Sequence, residues 1–324
     1  MRPTLPKSRG FTIAELAIAI AVLALLLFSA MVPFSAQMDL RNVADTRRTM
    51  DSIREAIIGF TQANGRLPCP ANGNIAFGSA GAGIEQFNGT SCVAAFGVVP
   101  WATLGTPEVD AWGRRFSYRV SPAFADAILA PSPPNPVGTL LATWNTRATG
   151  YAPPAGPPTY LPQPFPSAPL SPGDQTAPCD LTTAPTQSSF ALCTLGDITV
   201  FTRSSPGTAA VPLVAAIPAV IISHGKNGYG AWQSSGGQLA LPPAGSDEAA
   251  NAAGTTTPIG ALPPGTYSTW LFYSRTPTSA AAGCADPTPF GAVGAAPFCE
   301  FDDIVLPIST NALVVRMVAA GKLP

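Results

Sequence analysis

Lys7-Ser8-Arg9-Gly10-Phe11-Thr12-Ile13-Ala14-Glu15-Leu16 opens an apolar run that continues to Val32. Arg2, Lys7 and Arg9 precede Gly10, and Glu15 is the only charged residue from Phe11 to Val32. As a helix rising about 1.5 Å per residue, that stretch is roughly 33 Å long, enough for a hydrocarbon core of about 30 Å. Because the basic flank comes first, the leader is expected on the cytoplasmic side and everything after Val32 outside. A carboxylate one turn into such a segment is costly and needs a reason. An ordinary secretory signal has an apolar region of only about 7–15 residues and a small-residue cut site. Here the run is longer, holds Glu15, and is followed by the bulky Phe34 in Phe34-Ser35-Ala36.

The helix is expected to continue beyond the apolar run. From Gln37 to Asn64 the residues Val43, Met50, Ile53, Ile57 and Phe60 fall on one helical face, while Asp39, Arg41, Asp45, Arg47, Arg48, Asp51, Arg54 and Glu55 crowd the rest. Asn64-Gly65 is a helix stop. The expected organisation is a leader at 1–10, a helix at 11–64 (membrane-spanning over 11–32, amphipathic over 33–64) and a head at 65–324.

The N-terminal residues closely resemble the class III signal peptide of type IV pilins and type II secretion pseudopilins: a basic leader, a Gly, an aromatic residue, and a Glu four residues later heading an apolar helix. The resemblance implies that a prepilin peptidase cuts between Gly10 and Phe11 and N-methylates the new terminus. It also implies that Glu15 faces the Phe11 amine of a neighbouring pilin or pseudopilin subunit during assembly on an inner-membrane platform. A cation and a carboxylate in a low-dielectric layer attract strongly and relieve each other's desolvation. The implied location is the bacterial inner membrane, single-pass, with a periplasmic head, and a filament after assembly.

Composition fits an exported chain. Charged residues are only 11% of the 324, with 37 Pro and 30 Gly, against roughly 25% charged in ordinary soluble domains. Loss of the leader cations takes the formal charge from −1 to −4, and no basic patch argues for nucleic acid. Six cysteines lie along the chain as couples: Cys69 and Cys92, Cys179 and Cys193, Cys284 and Cys299. Outside the cytoplasm they read as disulfides, local pairing being the simplest of the possible connectivities. With His224 the sole histidine and no Cys-x-x-Cys present, a zinc site has little support.

The head reads as α+β: a long N-terminal helix packed on an antiparallel β-sheet with long Pro- and Gly-rich loops. Strands are expected at Phe116–Val120, Asp197–Thr202, Ala219–Ser223 (central, being apolar throughout) and Tyr267–Ser274, with a closing helix over Ala312–Gly321. Trp101 and Trp112 are expected in core packing. Residues 131–178 hold 14 prolines and read as an insertion. Asp110-Ala111-Trp112-Gly113, Ser223-His224-Gly225-Lys226-Asn227-Gly228-Tyr229-Gly230 and Phe301-Asp302-Asp303 are similar to segments of major pseudopilins. In those proteins the Gly-rich loop and the following acidic segment together hold calcium. The resemblance therefore implies Asn227, Asp247, Asn251 and Asp302 or Asp303 as Ca2+ ligands.

No nucleophile motif, phosphate loop or dinucleotide fingerprint occurs, and Ser223 and His224, being sequence neighbours at a strand end, point apart rather than form a dyad. Catalysis is not expected. The expected role is that of a structural pilin-like subunit of a secretion pseudopilus or pilus, minor because the head is long. A pilus-tip binding module or adhesin using the loop-rich head is the alternative.

Overall fold

The computed structural model describes residues 12–127, 187–190, 196–204, 208, 210–243, 246–253, 255–256, 270–286 and 296–323, with the backbone alone for 26–36, 253 and 255–256. The insertion at 131–178, the leader with Gly10 and Phe11, and Cys179 and Cys193 lie outside these residues.

Helix α1 runs without a break from Ile13 to Asn64. Gly65 ends it at φ 72°, a left-handed conformation suited to glycine, and its N–H still bonds the Thr61 carbonyl at 2.8 Å. The chain divides into two compact units, Met1–Asp45 and Thr46–Pro324. In the first, Ile13, Leu16, Ile18, Ile20, Val22, Leu23 and Leu25 are all exposed. Among the described residues no helix is long and apolar enough to cross a membrane. The stretch expected to do so, 11–32, falls partly outside them.

The second unit is a layered α+β body. Its first sheet has the order β1 (Phe96–Val98), β2 (Ser117–Val120), β5 (Ala219–Ser223), β8 (Ile304–Ile308), antiparallel throughout. Met50, Ile53 and Ile57 of α1 cover one face of it, packing with Phe116, Tyr118, Val120, Ala219 and Ile221. Leu313 and Met317 join them from the closing helix α5, Thr310–Ala319, whose Ser309 side chain accepts from the Ala312 N–H. Each fully buried aliphatic side chain of this set contributes about 1.5–3 kcal/mol. Val43 and Phe60, expected on the same face, are only half buried; Thr46 and Thr61 are fully buried instead. Trp101, which opens the one-turn helix α2 (Trp101–Leu104), is in the core, while Trp112 is half exposed; a second one-turn helix, α3, covers Pro122–Ala125.

The expected single antiparallel sheet is corrected by a second one, with order β4 (Val211–Ile217), β3 (Ile198–Thr202), β7 (Trp270–Tyr273), β6 (Thr255–Thr256). Here β3 and β7 run parallel, as the long crossover between them permits. Ile198, Val200 and Phe272 pack against Val220 and Ile222 on the face of the first sheet turned away from α1. Consequently β2 and β5 are buried on both faces. Arg119, which alternation alone would place toward water, is 1% exposed and bonds Asp197 at 2.7 Å beneath the Trp270 ring.

Candidate functional site

The acidic pocket forms where β5 ends and β8 begins. Ser223 pairs with Ile304, so the loop leaving β5 and the acids entering β8 are neighbours by register. Gly225 makes this approach possible: it sits at φ 54°, and a Cβ there would lie 2.4 Å from the Asp302 carbonyl and carboxylate oxygens. The Asn227 N–H donates to Asp302 Oδ2 at 2.8 Å. A third element, helix α4 (Asp247–Ala253), brings Glu248, whose carboxylate accepts from Asn227 Nδ2 at 3.0 and 3.1 Å and from the Asp302 N–H at 2.8 Å. One oxygen each of Glu248, Asp302 and Asp303 lies within 4.8 Å of the others.

Three carboxylates so close penalise one another. Burial, with Asp303 adding to it, pushes the Glu248 carboxyl up to about 8. Asp302 rises to about 6, chiefly through burial, against the pull of the Asn227 N–H. Asp302 Oδ1 and Asp303 Oδ1 are buried without a hydrogen-bond partner, the second with His224 Nδ1 3.6 Å away, so the fold leaves acceptor capacity unused beside the cluster. Two oxygens on opposite sides of a Ca2+ are at most about 5 Å apart, given bonds of roughly 2.3–2.6 Å. The donor set, all oxygen and all carboxylate, therefore fits a hard divalent cation.

Of the residues implicated by sequence, Asn227, Asp302 and Asp303 meet here. Asn251 supports the pocket rather than completing it: its Nδ2 donates to Asp303 Oδ2 at 2.8 Å and to the Tyr273 carbonyl at 2.9 Å. Asp247 belongs elsewhere. Its carboxylate is taken by Arg203 at 3.0 Å and Arg275 at 2.8 Å, and its N–H by Asp286 Oδ2 at 2.9 Å. Glu248 stands where Asp247 was expected. The signal for it was the spacing Glu248-Ala249-Ala250-Asn251, which puts the acid and the amide on one helical face.

No family model, curated protein or solved structure matches this chain.

Two further sequence-derived sites can be described. His224 is fully buried, and its Nε2 lies 2.7 Å from Ser117 Oγ, with Nδ1 3.6 Å from Asp303 Oδ1. Ser223, its sequence neighbour, instead donates to Asp110 at 2.6 Å. The order serine, histidine, aspartate is that of a proton-relay triad, but Ser117 and His224 have no solvent-exposed surface, so the arrangement packs behind Asp303. Second, Glu15 closes a capping box. The Thr12 N–H and Oγ1 both donate to Glu15 Oε2 at 2.9 Å, and the Glu15 N–H donates to Thr12 Oγ1 at 3.3 Å. Cys69–Cys92 and Cys284–Cys299 are disulfides.

Proposed function

We propose that this chain is a pilin-like structural subunit, a minor component of a type II secretion pseudopilus or a type IV pilus. One observation carries the reading. The start of α1 presents Ile13, Leu16, Ile18, Ile20, Val22, Leu23 and Leu25, all exposed, and at 100° per residue these positions are spread around the whole helix. A helix apolar on every side is stable only in lipid or among other helices, and a basic leader followed by Gly10-Phe11 and Glu15 stands immediately before it. Prepilin peptidase would cleave and methylate at Phe11, and the helix would then pass from the inner membrane into a filament of like subunits, its head in the periplasm. A calcium ion held by Glu248, Asp302 and Asp303 would neutralise converging carboxylates and tie α4 to the strand entering β8.

The capping box sharpens the test of Glu15. The carboxylate has a role within the subunit, holding its own helix start, and a role between subunits, facing a methylated amine. Glu15→Gln retains an acceptor for the cap and loses only the charge; Glu15→Ala loses both. Both variants are expected to insert normally and to crosslink poorly, through engineered cysteines, to the major subunit, Ala no better than Gln. Wild-type crosslinking by Glu15→Gln alongside failure of Glu15→Ala would reduce the residue to a helix cap and remove the assembly role.

A further inference from the structure

We propose that the Cys284–Cys299 disulfide sets the cation affinity of the Glu248–Asp302–Asp303 pocket, with helix α4 as the lever; the inference rests on the cation reading given above. The pocket is more than a cluster of acids. Asp303 is only 6% exposed; its Oδ1 has no hydrogen-bond partner, the His224 Nδ1 being 3.6 Å away, and one of its carboxylate oxygens lies within 4.8 Å of oxygens of Glu248 and Asp302. What holds the third ligand there is α4, whose first residue is tied through Asp286 and Arg275 to Cys299, beside the helix's ties to Arg203 and Tyr273.

Two short routes run from the bridge to the ligands, one along the chain and one through hydrogen bonds. Along the chain, Cys299 is three residues before Asp302, and the intervening Phe301 is fixed by a reciprocal backbone pair with Thr278, at 2.9 and 3.0 Å. Through space, the Cys299 N–H donates to Asp286 Oδ1 at 3.2 Å, and Asp286 Oδ2 accepts from the N–H of Asp247, the first residue of α4, at 2.9 Å. Arg275 spans the same gap, donating to the Cys299 carbonyl at 3.0 Å, to Asp286 at 3.3 Å and to Asp247 at 2.8 Å. Asp247 and Glu248 are consecutive, so a shift of Asp286 moves the Asp247 anchor and displaces the Glu248 carboxylate from its place opposite Asp302 and Asp303. With the bridge closed, Asp286 and Cys299 stay in register and the three carboxylates are presented together. With it opened, the ligands must be gathered at the expense of binding energy, which lowers affinity. Linkage requires the converse: the bound cation protects the bridge against reduction to the same degree.

The test uses the full chain in detergent at one fixed pH. Ca2+ binding is measured by titration calorimetry for the wild type, for Glu248→Gln, and for Cys284→Ser/Cys299→Ser, which leaves Cys69–Cys92 in place. The expected results are binding by the oxidised wild type, loss of binding in Glu248→Gln, and an affinity lowered about tenfold in the double variant, within the usual range of coupling between sites. An unchanged affinity in the double variant overturns the linkage and leaves the cation reading standing. No binding by the wild type overturns both. A reciprocal measurement needs no variant: the wild type is equilibrated with dithiothreitol, whose two thiols become a cyclic disulfide as each protein bridge becomes two thiols, and the freed cysteines are alkylated and mapped. Ca2+ is expected to raise the dithiol concentration that half-reduces Cys284–Cys299 by about the same tenfold, and to leave Cys69–Cys92 unmoved. Equal reduction with and without Ca2+, or equal protection of both bridges, contradicts the proposal even if the double variant fails to fold.

Discussion

Arg119 carries its charge into the space between the two sheets, where it is 1% exposed and Asp197 is its carboxylate partner at 2.7 Å. Burial pulls the guanidinium down and pushes the Asp197 carboxyl up, while each partner opposes the other's shift. Removing one of two such groups costs more than removing both, because it leaves an uncompensated charge. Asp197→Ala is expected to lose about 3–5 kcal/mol of head stability, and Arg119→Met/Asp197→Leu much less, both read from urea denaturation. Equal losses would mean that packing, not charge, dominates there. Glu248 makes a second prediction at this scale. Its carboxyl is pushed up to about 8 in the folded head, from an ordinary value of 4.5. Between those values the unfolded chain has released a proton that the folded chain keeps, so stability falls as pH rises. In chelator, the urea midpoint of the wild type is expected to fall between pH 5 and 8 more steeply than that of Glu248→Gln; parallel curves would contradict it. Arg119 was not legible in the sequence, and Glu248 was so only through its three-residue spacing to Asn251. Arg119 reads as the wet side of an alternating strand until a second sheet covers it, and Glu248 differs from Asp247 only in the helical face it occupies.

At the scale of elements, α1 was legible because its two halves carry different patterns. Met50, Ile53 and Ile57 recur at helical spacing, and Asn64-Gly65 ends the run where the helix ends. Strand β5 was legible from unbroken hydrophobicity, and it is buried at every position. Strand β4 was not, because Val211-Pro212-Leu213 contains a proline; the strand tolerates it by lying at the edge of its sheet. Helix α4 was missed because Asp247-Glu248-Ala249-Ala250-Asn251 has too few apolar residues to show a period. The helix face gives the clearest element-scale prediction. Ile57 is fully buried against the first sheet, so Ile57→Ala is expected to cost about 2–5 kcal/mol, whereas Ser52→Ala, on the exposed face, stays within about 0.5 kcal/mol. Tryptophan fluorescence through a urea series measures both, and equal effects would contradict this packing of α1.

For the molecule as a whole, the α+β class and the helix-on-sheet arrangement follow from patterns within single elements. The second sheet does not, because it is made by pairings between strands far apart in sequence, Ile198 with Trp270 among them. The acidic pocket has the same character: Asn227, Glu248 and Asp302 come from three separate segments, and the Gly-rich loop and acid pair marked two of them. The first segment is different. The proposed processing rests on residues in order along one stretch, and so it is open to a direct chemical test. The chain is produced in cells with and without an active prepilin peptidase, extracted from membranes, and its N-terminal peptide is identified by mass spectrometry. An N-methylated Phe11 terminus is expected when the peptidase is active, and an intact leader when it is absent. A Met1 terminus in both, or cleavage anywhere other than between Gly10 and Phe11, would contradict it.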